Sequence, residues 1–182
     1  RYRNMPSFGR DTIRRFPLSV SQLSKLTAHD YEDLLICSIP CFEGLFPESC
    51  DGDIRRLLYT MKKWHGLAKA RMHSESSLRL LHNVTRQLGR AMRDFSGRVC
   101  QLFETMETPQ EFSSRQSRIV KEAARSGAST PRISRKAKNF NLDTPKFHFL
   151  GDYPDEIVRV GTTDNWTSQM VSSSCHELRN SH

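Results

Sequence analysis

The sequence predicts a mainly α-helical domain, a helical hairpin or small bundle, and three observations predict it. Ile54, Leu57, Leu58, Met61, His65, Ala68 and Met72 recur at the i, i+3, i+4, i+7 spacing of one helix face. Leu78, Leu81, Val84 or Thr85, Leu88, Met92, Phe95, Val99 and Leu102 make a second, longer stripe. No run of strand-like segments that could build a sheet is visible beside them.

Taken in order, Arg1 to Phe8 has basic and aromatic residues without periodicity and reads as a frayed, disordered arm (1–8). A helical domain over 9–112 follows. Its first pieces are a short helix over Arg10–Phe16, ended by Pro17, and another over Val20–Leu26 with Ser19 as its N-cap. Thr27 then opens a helix with Asp30 in the acidic position of a capping box. Tyr31, Leu34, Leu35, Ser38 and Phe42 share one of its faces, and Pro40 should kink or split it.

The first long helix starts at the Cys50-Asp51-Gly52 turn, capped by Asp51 or Asp53, and carries Arg55, Arg56, Lys62, Lys63 and Lys69 on its opposite face. Gly66 weakens it by about 1 kcal/mol relative to Ala and suggests close approach of another helix. The second runs from Ser74 toward Met106, roughly 45 Å at 1.5 Å per residue. Joined by a short turn, Asp53–Met72 and Ser74–Met106 should form an antiparallel hairpin.

Past Pro109 the composition changes. Over 113–142 eight basic residues, Arg115, Arg118, Lys121, Arg125, Arg132, Arg135, Lys136 and Lys138, stand against one acid, Glu122. That supplies +7 of the chain's net charge of +8. Serines are frequent and large apolar groups few, so the segment, apart from a helical start, reads as a disordered basic linker that cannot bury enough surface to offset its ordering entropy. A helical segment over 143–161 follows, with Phe147, Leu150, Tyr153, Ile157 and Val160 on one face, Pro154 near its first turn and Gly161 ending it. It should pack back across the hairpin. The polar stretch 162–182 reads as a poorly ordered, irregular tail.

Composition bounds the function. With Gly counted and Tyr left out, apolar residues are about 39% of the chain, below the usual 45–50%. One modest core with exposed segments fits that figure. No run of 18 apolar residues and no charged-then-apolar leader occurs, so neither a membrane span nor a signal peptide is expected. The chain begins at Arg1 rather than Met, as a piece of a longer protein would. Five cysteines without framework spacing read as reduced thiols of an intracellular protein. Cys37 and Cys41 lie four apart, but no second pair stands in register to complete a metal site, and buried structural thiols are the better reading.

His148 and Asp152 are four apart on a helix, with Cys175, His176 and His182 downstream, yet no C-x2-C or H-x3-H pair occurs. Half-buried histidines that satisfy carbonyls are the better reading for His148, His65, His73 and His82. No phosphate-cradling glycine loop and no recognisable nucleophile motif is present. The sequence therefore assigns no catalytic residue, no metal and no cofactor. The remaining functional signal is the eight-cation segment. Neutralising phosphates would let it bind nucleic acid electrostatically and without sequence preference. Its Ser-Arg-Lys content also suits nuclear import or phosphorylation, and a plain solvated linker is the bland alternative.

Three blocks carry more than composition. They are Leu26-Thr27-Ala28-His29-Asp30-Tyr31-Glu32-Asp33-Leu34-Leu35, then Trp64-His65-Gly66-Leu67-Ala68-Lys69 with Arg71-Met72-His73, and Lys146 to Gln169. The last contains Gly151-Asp152-Tyr153-Pro154 and Gly161-Thr162-Thr163-Asp164-Asn165-Trp166. Together they resemble the C-terminal part of transposase-like proteins of basidiomycete fungal genomes, of the Plavaka and Kyakuja–Dileera–Zisupton kind. The resemblance spans about Phe8 to Gln169 and implies a nuclear, mobile-element protein.

Transposases of that broad type cut DNA with three carboxylates holding two metal ions. Asp152, Asp155, Glu156, Asp164 and Glu177 are the acids to test. The family's acid-rich block after Gly-Thr-Thr-Asp is replaced here by Met170-Val171-Ser172-Ser173-Ser174-Cys175-His176-Glu177, so Glu177 is at best a displaced remnant. A non-catalytic remnant or accessory C-terminal region of a mobile-element transposase, binding nucleic acid weakly and without sequence preference, is the primary expectation. Two alternatives remain: part of an active nuclease whose other carboxylates lie outside the chain, and a helical protein-interaction module.

Overall fold

The structure, a computed structural model, describes residues 1–9, 13, 15–16, 20, 26–127, 129 and 132–163. It is mainly α-helical, and its chain divides into two units, 1–95 with 142–182, and 96–141.

The first unit is built on the two amphipathic stripes. Helix α3 (Glu48–Ala68) and helix α4 (Glu75–Asp94) pack along their length as the expected hairpin. Ser74 caps α4 through its side chain, with Ser77 reaching back to close the box. Leu57, Trp64 and Ala68 of α3 and Leu81, Val84, Leu88 and Met92 of α4 form the core. Helix α6 (Pro145–Val160) lies against α4 and adds buried Ile157, with Phe147, Leu150 and Tyr153 packed at the margin. Each of these side chains removes apolar area from water at about 25 cal/mol per Å².

Details differ from expectation for identifiable reasons. Trp64, not its neighbour His65, is the inward residue: it meets Tyr153 edge to face at 5.0 Å, and its indole N–H donates to Thr85 Oγ1 at 2.9 Å. Positions three and four beyond Met61 both satisfy a 3.6-residue period, and the larger apolar surface takes the core. Met72 lies past the end of α3 and is 89% exposed. The α geometry of α4 stops at Asp94. A π turn (Phe95–Val99) containing Gly97 and a 3₁₀ turn (Cys100–Leu102) follow, and Phe103 is extended, short of the expected Met106. Val160 is exposed, and Pro154 lies mid-helix and buried because Pro145 takes the first turn. Gly66 faces open space, so no helix approaches it.

Helix α1 (Ala28–Ile36) begins at the expected Thr27–Asp30 box. The chain breaks at Cys37 and resumes as helix α2 (Ser38–Phe42). Pro40 has no N–H to give the Ile36 carbonyl, and Lys62 Nζ donates to that oxygen instead at 2.6 Å. The expected frayed arm is ordered in this unit. Tyr2 donates to the Leu34 carbonyl at 3.0 Å and sits edge to face on Phe16 and Phe42, over buried Cys37 and Cys41. Burial, with Cys41 and Cys37 beside it, pushes the Tyr2 hydroxyl up to about 12. Phe8 pairs with Ile13 around Gly9, whose φ is +62°. The helices expected over Arg10–Phe16 and Val20–Leu26, and the tail beyond Thr163, lie largely or wholly outside the described residues.

The second unit is more ordered than a basic linker with only a helical start. Helix α5 (Pro109–Ser126) occupies its first half. Thr108 accepts from the Glu111 backbone N–H while Glu111 reaches back to Thr108, Pro109 fills the first turn, and Gly127 at φ +65° ends the helix. Low apolar content concealed three strong local signals for a helix.

Candidate nucleic-acid interface

Glu107 organises the basic segment. It is 7% exposed, and its carboxylate accepts two bonds from Arg115, Nε to Oε1 at 2.9 Å and Nη2 to Oε2 at 2.6 Å. The Lys136 backbone N–H donates to Oε2 at 3.1 Å, and the Glu107 N–H donates to the Lys136 carbonyl at 2.9 Å. The Lys138 N–H reaches the Thr105 carbonyl at 2.8 Å, and Met106 and Ala137 form an antiparallel bridge. Residues 132–138 are thus a short strap, paired with 105–107 from Lys136 onward. Arg115 above all, and then the Lys136 N–H, hold the Glu107 carboxyl down from its ordinary 4.5 to about 2.

Three of the eight cations take part in this clamp or border it. Arg115 is the partner of Glu107, Arg135 Nε donates to the Glu107 carbonyl at 2.6 Å, and Lys138 Nζ lies 3.0 Å from Glu111. Together with Thr108, Gln110, Ser114 and Arg118, several of these groups line a cleft of about 470 Å³. Its mixed charge fits a network that satisfies itself.

The other five, Arg118, Lys121, Arg125, Arg132 and Lys136, are exposed, and of their side chains only the Lys136 ammonium acts on a described acid, its charge helping to lower the Glu107 carboxyl. Arg118, Lys121 and Arg125 fall within about 60° of one another around α5 at 100° per residue, opposite buried Ala123. A helix with one wall inside and three cations in line on the other is a linear array of positive charge. Arg125 also lies in the last turn, where a cation complements the helix dipole.

The acids and histidines singled out in the sequence do not converge. Asp152 and Asp155 are exposed on α6; Asp155 faces His82 at 3.5 Å, and Glu156 binds Arg159 at 2.6 Å. Asp164, Glu177, Cys175, His176 and His182 lie outside the described residues. Among the described residues no group of three or more His, Cys, Asp or Glu is placed to hold a metal ion.

The histidines meet side chains rather than the carbonyls expected. His148 lies 3.2 Å from Asp143 and is exposed, His73 lies 3.2 Å from Ser77 Oγ, and His65 faces Glu32 at 3.8 Å. Burial raises Glu32, but Lys69, bound at 2.8 Å to both carboxylate oxygens, with His65 and His29, brings it below its usual value. Burial in turn lowers His65 against the pull of Glu32. This cluster links α1 to α3 and has a structural explanation. Among the described residues no helix is long and apolar enough to cross a membrane.

Searches against protein-family models, curated proteins and solved structures find no match for the chain.

Proposed function

We propose that the chain is a non-catalytic or accessory C-terminal region of a mobile-element transposase, acting in the nucleus, that binds nucleic acid through charge. The observation that carries the binding role is the exposed line Arg118–Lys121–Arg125 on α5, with Arg132 and Lys136 on the adjoining strap. The transposase assignment rests on the resemblance of the three sequence blocks. Such an array suits the regularly spaced charges of a phosphodiester backbone. Contacts to phosphate position a protein but carry no base information, so binding is indifferent to sequence.

Titration of a fluorescent duplex of random sequence over a range of salt concentrations tests this reading. Each phosphate neutralised contributes about −0.9 to the slope of log affinity against log salt, so three to five cations give roughly −3 to −4.5. Absence of binding at low salt would remove the proposal.

A further inference from the structure

We infer that Ser134 is a phosphorylation site for a basophilic protein kinase, and that its modification switches off the cationic surface. The regulatory half rests on the nucleic-acid reading above; the modification itself does not.

The serines of the basic segment are not equivalent. Ser113, Ser114, Ser117 and Ser126 lie within α5, where the backbone is committed to helical bonds, and the Ser126 hydroxyl is spent on the Glu122 carbonyl at 3.0 Å. Ser129 and Ser134 are both exposed and outside any helix. The nearest cations to Ser129 are Arg132 three after and Arg125 four before, whereas Ser134 has cations within two positions on both sides and a hydroxyl with no partner among the described residues. Its neighbours are Arg132 two before, Arg135 one after, Lys136 two after and Lys138 four after. Backbone–backbone pairing of the strap begins only at Lys136. Between Arg132 and Arg135 only the side-chain bonds of Arg115 to the Ser134 carbonyl and of Arg135 to the Glu107 carbonyl must open for this stretch to lie in an extended-substrate cleft. An acid-lined kinase cleft is the complement of that charge pattern.

In the step, Ser134 Oγ attacks the γ-phosphorus of a nucleoside triphosphate. The new O–P bond forms as the bond to the β,γ-bridging oxygen breaks, a nucleoside diphosphate leaves, and the hydroxyl proton passes to the kinase's base.

The consequence follows from what surrounds the site. The Ser134 carbonyl already accepts from Arg115 Nη2 at 2.7 Å, and Arg135 donates to the Glu107 carbonyl. A phosphate carrying about −1.5 to −2 charges therefore enters beside Arg132, Arg135 and Arg115. It cancels the strap's contribution to the cationic surface and competes with Glu107 for the guanidinium groups.

The test treats the full chain with an arginine-directed protein kinase and ATP, maps phosphate by mass spectrometry, and repeats the reaction on Ser134→Ala, Ser134→Thr and Arg132→Ala. The expected result is incorporation at position 134 in the parent and in Ser134→Thr, loss in Ser134→Ala and a marked reduction in Arg132→Ala. Incorporation confined to other serines, undiminished by Ser134→Ala, or no incorporation at all, would overturn the site. The modified chain is then titrated with duplex: the salt slope should flatten by about 1.8, two phosphates fewer. An unchanged slope overturns the regulatory half. If the unmodified chain binds no duplex, the proposed function fails while a mapped phosphate at Ser134 leaves the site standing.

Discussion

Leu88 and Glu107 represent the two ways a residue is held inside this protein. Leu88 is 2% exposed in an all-apolar setting, so Leu88→Ala should destabilise the first unit by about 2–5 kcal/mol in chemical denaturation. A loss within about 0.5 kcal/mol would mark a surface position and a wrongly assigned face. Glu107 is buried with an ionised carboxylate that Arg115 and the Lys136 N–H satisfy. A carboxyl whose folded value is depressed stabilises the fold above its unfolded value and loses that contribution as pH falls through the folded one. The window here runs from about 4.5 down to about 2. Amide exchange at Lys136 and Lys138, corrected for intrinsic rates, should accelerate across that window, and Glu107→Gln should show the faster exchange already at neutral pH. Protection independent of both would mean the strap is held by something else.

The residue scale also shows what patterning leaves ambiguous. Apolar periodicity locates the core faces of α3 and α4 but places His65 on the stripe in the position that Trp64 takes, since both fall inside the arc a 3.6-residue period allows. Tyr153, which packs edge to face on Trp64, comes from a helix far along the chain. Glu107 was invisible for the same reason: its partners lie up to 29 positions away, and only the folded chain brings them together.

At the scale of elements, local signals decided where global composition misled. The capping boxes at Thr27, Ser74 and Thr108 each sit at a helix start. The first is legible in the sequence, while the polar, basic composition around the third masks it, although Pro109 follows it and Gly127 closes its helix. Thr108→Ala should therefore cost α5 about 1 kcal/mol and lower its amide protection. No change would imply that α5 does not depend on its cap. Gly66 makes the opposite case. It lies in the interior of α3 with open space where a Cβ would stand and no positive φ. Gly66→Ala should stabilise the first unit by about 0.4–1 kcal/mol in thermal or chemical unfolding. Destabilisation would reveal a close contact at this position.

At the scale of the whole molecule, charge is partitioned rather than spread. The segment 113–142 holds +7 of a net +8, and folding divides its cations between those that tie the strap down and those left facing solvent. Eight positions were legible in the sequence as one basic run. Which of them are engaged internally was not, because that depends on Glu107 and Glu111 and on the helical phase of α5. The measurement that tests this division most directly is the salt dependence of duplex binding for the parent, for the triple variant Arg118→Gln, Lys121→Gln, Arg125→Gln, and for a control removing equal charge from exposed positions elsewhere, Lys63→Gln, Arg90→Gln, Arg93→Gln. If the outward face of α5 is the interface, the first triple variant flattens the slope by about 2.7 and the control leaves it near the parental value. Equal losses in the two variants, or a first variant that binds as the parent does, would contradict it.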